Sequence, residues 1–211
     1  QMSQTTNINT RQKILEVATS EFFAHGFRGA SVREICSRAG ASANAITYHF
    51  GSKEKLYREI LDGFAQLQVT HAKRTLAADL KTQQEFELRL EVFFDGLLES
   101  YLANREVLLI ALREFEQLSP DDDASVYREL VEVNFLLSKY IRDAKAQGFV
   151  KDDVDADIVA GILLDRLISQ ARFAHTHKPY FKVSTLDPEY RAYWIRATLA
   201  VIFTGINAPN K

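Results

Sequence analysis

Residues 40–57, GASANAITYHFGSKEKLY, place small and polar side chains on a short predicted helix just before a lysine-rich segment. The small side chains of Ala43 and Ala45 permit close approach to another surface. The amide of Asn44 can pair with N6 and N7 of adenine, and Thr47 can offer a hydroxyl or contact a thymine methyl group. Together these side chains indicate a surface suited to the base edges of a nucleic-acid groove.

Residues suited to phosphate follow directly. Tyr48, His49 and Lys53 offer hydrogen-bond donors, and the backbone amides of a helix predicted to start at Ser52 add the positive end of a helix dipole. The net charge of the chain is −2, but residues 1–64 hold eight Lys and Arg against six Asp and Glu, and the remainder holds 18 against 22. The positive part of the chain therefore coincides with the candidate surface.

Other groups of reactive side chains predict no metal site, no cofactor and no enzyme. His175 and His177 lack the third and fourth ligands that zinc requires. The DDD run at residues 121–123 lacks the spacing of a calcium loop and suits a helix start instead. The sequence contains no recognisable nucleophile–base set and no glycine loop that would cradle phosphates.

The composition predicts an all-α protein of the cytoplasm. Hydrophobic residues make up 46% of the chain, and only 13 residues are Gly or Pro, which favours a packed helical fold. Cys36 is the single cysteine, so an internal disulfide is excluded and a reducing compartment is expected. We expect neither a signal peptide nor a membrane-spanning segment.

Start and stop signals divide the N-terminal part into short helices. A first helix is predicted from Thr10 to His25, ended by Gly26 in a Schellman arrangement. Ser31 and Glu34 form a predicted capping box for a second helix that ends at residue 40. A third runs from its predicted cap Ser42 to residue 50, and a long fourth begins at residue 52. Two short helices around a glycine turn are a helix-turn-helix, in which the second helix enters the major groove.

Residues 10–62 resemble the N-terminal DNA-binding domain of the TetR family of bacterial transcriptional repressors. The most specific part is AITYHFGSKEKLY, residues 45–57, with its aromatic–His–Phe, short break and Ser-Lys-Glu pattern. The resemblance implies that Ser31 and Arg33 flank the groove and that Tyr48, His49 and Lys53 contact the backbone. Two positions depart from the family pattern. Thr47 stands where the family has an aromatic residue that contacts phosphate, so Thr47 could contact either a base or a phosphate. Cys36 stands where the family has an alanine. The predicted DNA-binding residues are Ser31, Arg33, Ser42, Ala43, Asn44, Ala45, Thr47, Tyr48, His49 and Lys53.

The remainder of the chain is predicted to be helical, with helices near residues 84–104, 105–118, 124–147, 155–175 and 187–206. The last two carry apolar residues on more than one side, which indicates a two-fold dimer built as a four-helix bundle, as in the family. We therefore predict a helix-turn-helix domain over residues 1–50 and a ligand-binding and dimerisation domain over 51–211. The predicted dimer residues are Ile162, Asp165, Ser169, Phe173, Tyr193, Ala197, Ala200 and Val201.

Several polar residues lie within or beside apolar helix faces. Arg113, Asn134, Asp165 and Arg166 could form a structural network, dimer salt bridges or the polar groups of a ligand pocket. Aromatic residues in the same region either line a cavity or form the core. The predicted ligand-binding residues are Leu67, His71, Phe94, Arg113, Asn134, Leu137 and Arg166.

The resemblance implies a repressor that binds a palindromic operator in double-stranded DNA as a homodimer. A small-molecule effector in the second domain would release it, with no cofactor and no membrane partner. The alternative is an architectural or adaptor protein that binds DNA and whose helical domain contacts a protein partner. A DNA complex that does not change across a set of metabolites would favour that alternative.

Overall fold

The computed structural model describes residues 2–76, 79–117 and 125–206, and these residues form nine helices and no strand. The predicted all-α fold is confirmed. None of these nine helices combines the length and the apolar content that crossing a bilayer requires. In chain order the helices are α1 Met2–Gly29, α2 Val32–Arg38, α3 Ala45–Phe50, α4 Lys53–Leu76, α5 Gln83–Ala103, α6 Arg105–Gln117, α7 Ser125–Ala146, α8 Ala156–Phe181 and α9 Pro188–Ile206.

The chain forms two compact units. The first contains the chain up to Ala65 together with α6 from Glu106, and the second contains Gln66–Arg105 and the chain from Tyr127. Helices α4 and α6 therefore contribute residues to both units. The first unit extends beyond residues 1–50, and a functional boundary after residue 50 remains a prediction.

The first unit is built on one apolar core. Residues at helical spacing on α1, including Ile14, Ala18 and Phe22, are fully buried. They share the core with Ile35 of α2 and Ile46 of α3, and residues of α4 and α6 complete it. Complete burial of a large apolar side chain contributes about 1.5–3 kcal/mol, so this core holds three short or kinked elements that would not be stable alone.

One prediction for α1 is wrong and one holds in part. The helix begins at Met2 and not at Thr10, since the polar residues before Thr10 include neither Gly nor Pro to stop it. Gly26 (φ 68°, ψ 173°) interrupts the helical backbone as predicted, but helical structure resumes beyond this kink and ends at Gly29.

The caps of the next helices are mostly as predicted. The Ser31 hydroxyl accepts a hydrogen bond from the Glu34 backbone N–H (3.3 Å), and the Ser52 hydroxyl accepts one from the Lys55 N–H (3.1 Å). The prediction that Ser42 caps α3 is wrong, because α3 begins at Ala45 with Asn44 as its N-cap residue.

Helices α5 to α9 begin and end close to their predicted bounds, with one exception. Helix α8 continues to Phe181, beyond the predicted end at residue 175, and contains Pro179. A proline lacks one backbone donor, so α8 forms one hydrogen bond fewer near its C-terminal end.

Within the second unit, His71 of α4 lies very close to α5. Its Nε2 donates to the Phe93 carbonyl oxygen at 3.0 Å, and its ring stacks on the Phe93 ring with centroids 5.7 Å apart. A Cβ atom placed on Gly96 would lie 2.3 Å from Cε1 of His71. The imidazole therefore occupies the space that any side chain at residue 96 would need.

Gly96→Ala is expected to lower the free energy of unfolding by about 1–3 kcal/mol, because the His71 ring must leave its position. The measurement is urea unfolding followed by circular dichroism. In a His71→Ala background the same change should carry no such cost. Gly63→Ala is the control, since a Cβ there meets nothing within 4 Å. Equal stability of Gly96→Ala and the unmodified protein would contradict the described packing.

Candidate DNA-binding site

A tight turn joins α2 to α3 within the first unit. The Ala41 N–H donates to the Cys36 carbonyl at 2.9 Å, and the Gly40 N–H donates to the Ser37 carbonyl at 3.1 Å. With Gly40 at φ 64°, these two bonds form a Schellman motif, which favours glycine at the left-handed position. The turn thus fixes the direction in which the chain enters α3.

The turn and the outer side of α3 present most of the predicted base-reading residues to solvent. Ser42, Ala43, Asn44 and Thr47 are exposed. Asn44 makes no side-chain capping hydrogen bond, so its amide is not committed to the start of α3. The predicted base contact Ala45 is buried, with 6% of its surface exposed, because α3 starts two residues later than predicted and turns this side chain into the core.

The predicted phosphate contacts lie at both ends of the motif. Tyr48 is 75% exposed, and its ring meets the half-buried His49 ring edge-on at a centroid distance of 4.9 Å. Ser31 and Arg33, at the start of α2, are exposed. These side chains carry donors suited to a sugar–phosphate backbone.

Lys53 has a different environment from the other candidates. Its ammonium donates to the carbonyl oxygens of Phe27 at 2.8 Å and Ala30 at 3.0 Å, and it lies 4.8 Å from the Phe27 ring centroid. An ammonium has three donors, and these bonds use two of them. Lys53 thus joins the start of α4 to the end of α1, and its role as a phosphate contact remains a prediction.

One buried charge in this unit was not predicted from the sequence. The Glu21 carboxylate, on α1, is 5% exposed and contacts both Ser31 and Arg38. The signal in the sequence was an acidic residue one position before Phe22 and three after Ala18, on the apolar side of the helix.

The predicted ligand-binding residues do not all belong to one unit. Arg113 belongs to the first, where it donates to the Phe23 carbonyl at 2.9 Å and lies over the Phe23 ring. The others belong to the second: Phe94 and Leu137 are fully buried, His71 and Asn134 are half-buried, Leu67 is 50% exposed, and the exposed Arg166 lies over the Trp194 ring at 4.9 Å. A ligand site formed by these six remains a prediction.

The predicted dimer residues lie mostly on the exposed sides of α8 and α9. Apolar side chains stand out: Ile162 is 53% exposed, Phe173 44%, Tyr193 62% and Val201 74%. Asp165, Ala197 and Ala200 are also exposed, and Ser169 is half-buried.

No cluster of three potential metal ligands occurs in residues 2–76, 79–117 and 125–206. His175 is exposed. The side chain of His177 and the acidic run at residues 121–123 lie outside the described residues.

Comparison with known proteins identifies the family of the N-terminal domain. Residues 14–60 match the model of bacterial regulatory proteins of the tetR family. The chain is similar to a probable HTH-type transcriptional regulator, YttP, of Bacillus subtilis, with 27% identity over 82% of this chain and 87% of that protein. It is also similar to the HTH-type transcriptional repressor KstR2 of Rhodococcus jostii, with 23% identity over 95% of this chain and 92% of the relative.

A solved structure shares the fold over nearly the whole chain. The ketosteroid transcriptional regulator KstR2 of Mycobacterium tuberculosis superposes with a TM-score of 0.73, at 21% identity, over 94% of this chain and 95% of its own. The relatives named above are transcriptional regulators, and this chain is a DNA-binding transcriptional regulator and not an enzyme. Residues 14–60, with their helix-turn-helix, therefore form a DNA-binding domain of the tetR family of bacterial regulatory proteins.

Proposed function

We propose that the protein represses transcription in the bacterial cytoplasm by binding a palindromic operator as a homodimer, and that a small-molecule effector releases it. The observation that carries this proposal is the exposed surface of Ser42, Ala43, Asn44 and Thr47, held by a core that leaves α3 little freedom. The N-terminal residues of a recognition helix lead into the major groove, and these are the residues at the N-terminal end of α3.

The individual contacts follow from chemistry and exposure. The Asn44 amide reads adenine, since its two polar groups match N6 and N7. Thr47 follows one turn later, where it touches a base edge or a phosphate. Tyr48, Arg33 and Ser31 bind phosphates, which fixes the register of α3 without contributing sequence preference.

The dimer forms through the exposed sides of α8 and α9. Ile158, Ile162 and Phe173 share one side of α8 at helical spacing, and all three are largely exposed. Tyr193 and Val201 add a similar strip on α9. A second copy of the chain covers such a surface symmetrically, and two copies supply two α3 helices for half-sites one helical turn or more apart.

The effector is predominantly apolar and carries no net charge. In the described part of the second unit, every buried polar residue is uncharged; these residues are Gln68, Thr75, Ser138, Gln170, Ser184 and Thr185. Among the described residues of this unit a charged effector would find only the buried Nε of Arg105 as a counter-ion, and burying it elsewhere would be costly.

Release is a shift in the population of two conformations, in which the effector binds better to the one that does not fit the operator. Within the first unit, polar contacts fix helix α6 in the described conformation. Glu106 accepts from the Ser20 hydroxyl at 2.9 Å, and Glu114 accepts from the Tyr57 hydroxyl at 2.7 Å. Burial raises the pKa of Tyr57 above its usual range, so this hydroxyl stays protonated as a donor. By reciprocity, operator DNA weakens effector binding by the same factor.

Selection of bound sequences from a random duplex pool tests this function. The purified protein should enrich an inverted repeat, and Asn44→Ala should relax the preference at one base pair in each half-site while the rest of the repeat is retained. Enrichment of no sequence by the unmodified protein would contradict sequence-specific repression and favour an architectural role.

Lys53→Met is expected to act on stability and on DNA binding. The loss of two bonds from an ammonium to carbonyls should lower the free energy of unfolding by about 1–3 kcal/mol. The third donor of Lys53 binds phosphate, so the slope of log affinity against log salt concentration should fall by about one. The exposed neighbour Lys55→Met is the control for stability. An unchanged salt slope would remove Lys53 from the phosphate contacts.

Val201→Glu should convert the homodimer to a monomer, because it places two carboxylates in an apolar interface. Sedimentation velocity measures the mass of the variant and so its oligomeric state. The affinity of the variant for the operator should also fall at least about tenfold, equivalent to ~1.4 kcal/mol. Val131→Glu, on α7, is the matched control: this valine is 45% exposed and lies outside the proposed interface. A Val201→Glu protein that remains dimeric would contradict the assignment of α8 and α9.

A further inference from the structure

We infer that Glu21 is a positioning residue for operator recognition: it fixes α2 at both ends and so directs the helix-turn-helix toward DNA without touching DNA itself. This inference rests on the proposed function. It concerns a residue outside the exposed surface, on the helix that precedes the motif.

The contacts of Glu21 reach both ends of α2. Its Oε1 accepts from the backbone N–H of Ser31, the N-cap residue of α2, at 3.4 Å. Its Oε2 accepts from Nη1 of Arg38, the last residue of α2, at 3.2 Å. His25, one turn further along α1, lies 4.0 Å from the same carboxylate. One side chain thus links α1 to the beginning and the end of a seven-residue helix.

Apolar packing gives this short helix contacts but little direction. Ile35 and Cys36 are buried near its middle, Val32 at its first turn is partly buried against the same core, and the C-cap residue Ala39 is buried. These contacts are non-directional, so they leave a two-turn helix some freedom to tilt or rotate. Hydrogen bonds at the two ends oppose this motion because they depend on direction and distance.

The chemical identity of the group supports an orienting role. An apolar side chain would fill the space beside Phe22 without removing a charge from water. A carboxylate carries that cost but offers two oxygens that accept separate bonds, and a negative charge near the start of α2 also favours its helix dipole. The structure uses both oxygens, one for each end of α2.

The orientation of α2 determines two sets of proposed DNA contacts. Ser31 and Arg33 lie at its N-terminal end, and its C-terminal end leads through the Gly40 turn to Asn44. A change in the tilt of α2 therefore moves both sets together. Sequence-specific contacts suffer most, since bidentate bonds to bases require close alignment whereas phosphates accept donors from many directions.

The test compares Glu21→Gln with Glu34→Gln. Both remove one negative charge from this unit, but Glu34 is exposed and has no link to α1 in the described structure. If charge alone mattered, both variants would bind DNA more tightly. We expect Glu21→Gln to bind the selected operator at least about tenfold more weakly, with unchanged affinity for an unrelated duplex and an unchanged salt slope. Fluorescence anisotropy at several salt concentrations, below the unfolding temperature of each variant, measures all three.

Arg38→Gln provides an independent variant if Glu21→Gln is poorly folded. It should reduce the ratio of operator to unrelated-duplex affinity while leaving the salt slope unchanged, and the double variant should be no worse than the poorer single one. A slope reduced by about one would place Arg38 on a phosphate and overturn its part in positioning α2. Operator binding by Glu21→Gln as tight as that of the unmodified protein would overturn the inference. Failure of the unmodified protein to bind any duplex specifically would instead overturn the proposed function.

Discussion

The packing of α2 and α3 against α1 is the constraint on which the rest of this molecule depends. Neither short helix has enough hydrogen bonds to be stable alone, and each contributes only a few side chains, among them Ile35, Ile46 and Phe50, to the shared core. Because the core fixes their buried sides, their opposite sides are fixed as well. The position of the exposed surface around Asn44 therefore depends on the core as well as on the residues of that surface.

Polar contacts add direction to this packing. Within the first unit Glu21 is buried and Lys53 is half-buried. Their bonds connect elements that meet at the kinked end of α1. Burying charged groups is costly unless they are paired, and here each has at least two partners. The result is a surface for DNA supported from within the first unit by the bonds of these two charged groups.

The sequence predicted local features well and distant contacts poorly. Ser31 and Ser52 were recognisable as caps because a cap bonds to residues two or three positions away. The α3 start was misplaced at Ser42, and Ala45 was consequently assigned to the exposed face although it is buried. Arg113 joins Phe23, 90 residues earlier, and Lys53 joins Phe27 and Ala30, more than 20 residues earlier. Periodicity identifies the buried side of a helix but not the element that covers it.

Methylation footprinting on the selected operator tests the central claim that α3 reads the major groove in two half-sites. Dimethyl sulfate modifies guanine N7 in the major groove and adenine N3 in the minor groove. The account predicts protection of guanine N7 in two symmetric patches, with adenine N3 between and within them still reactive. Protection confined to adenine N3, or a single patch without symmetry, would contradict it.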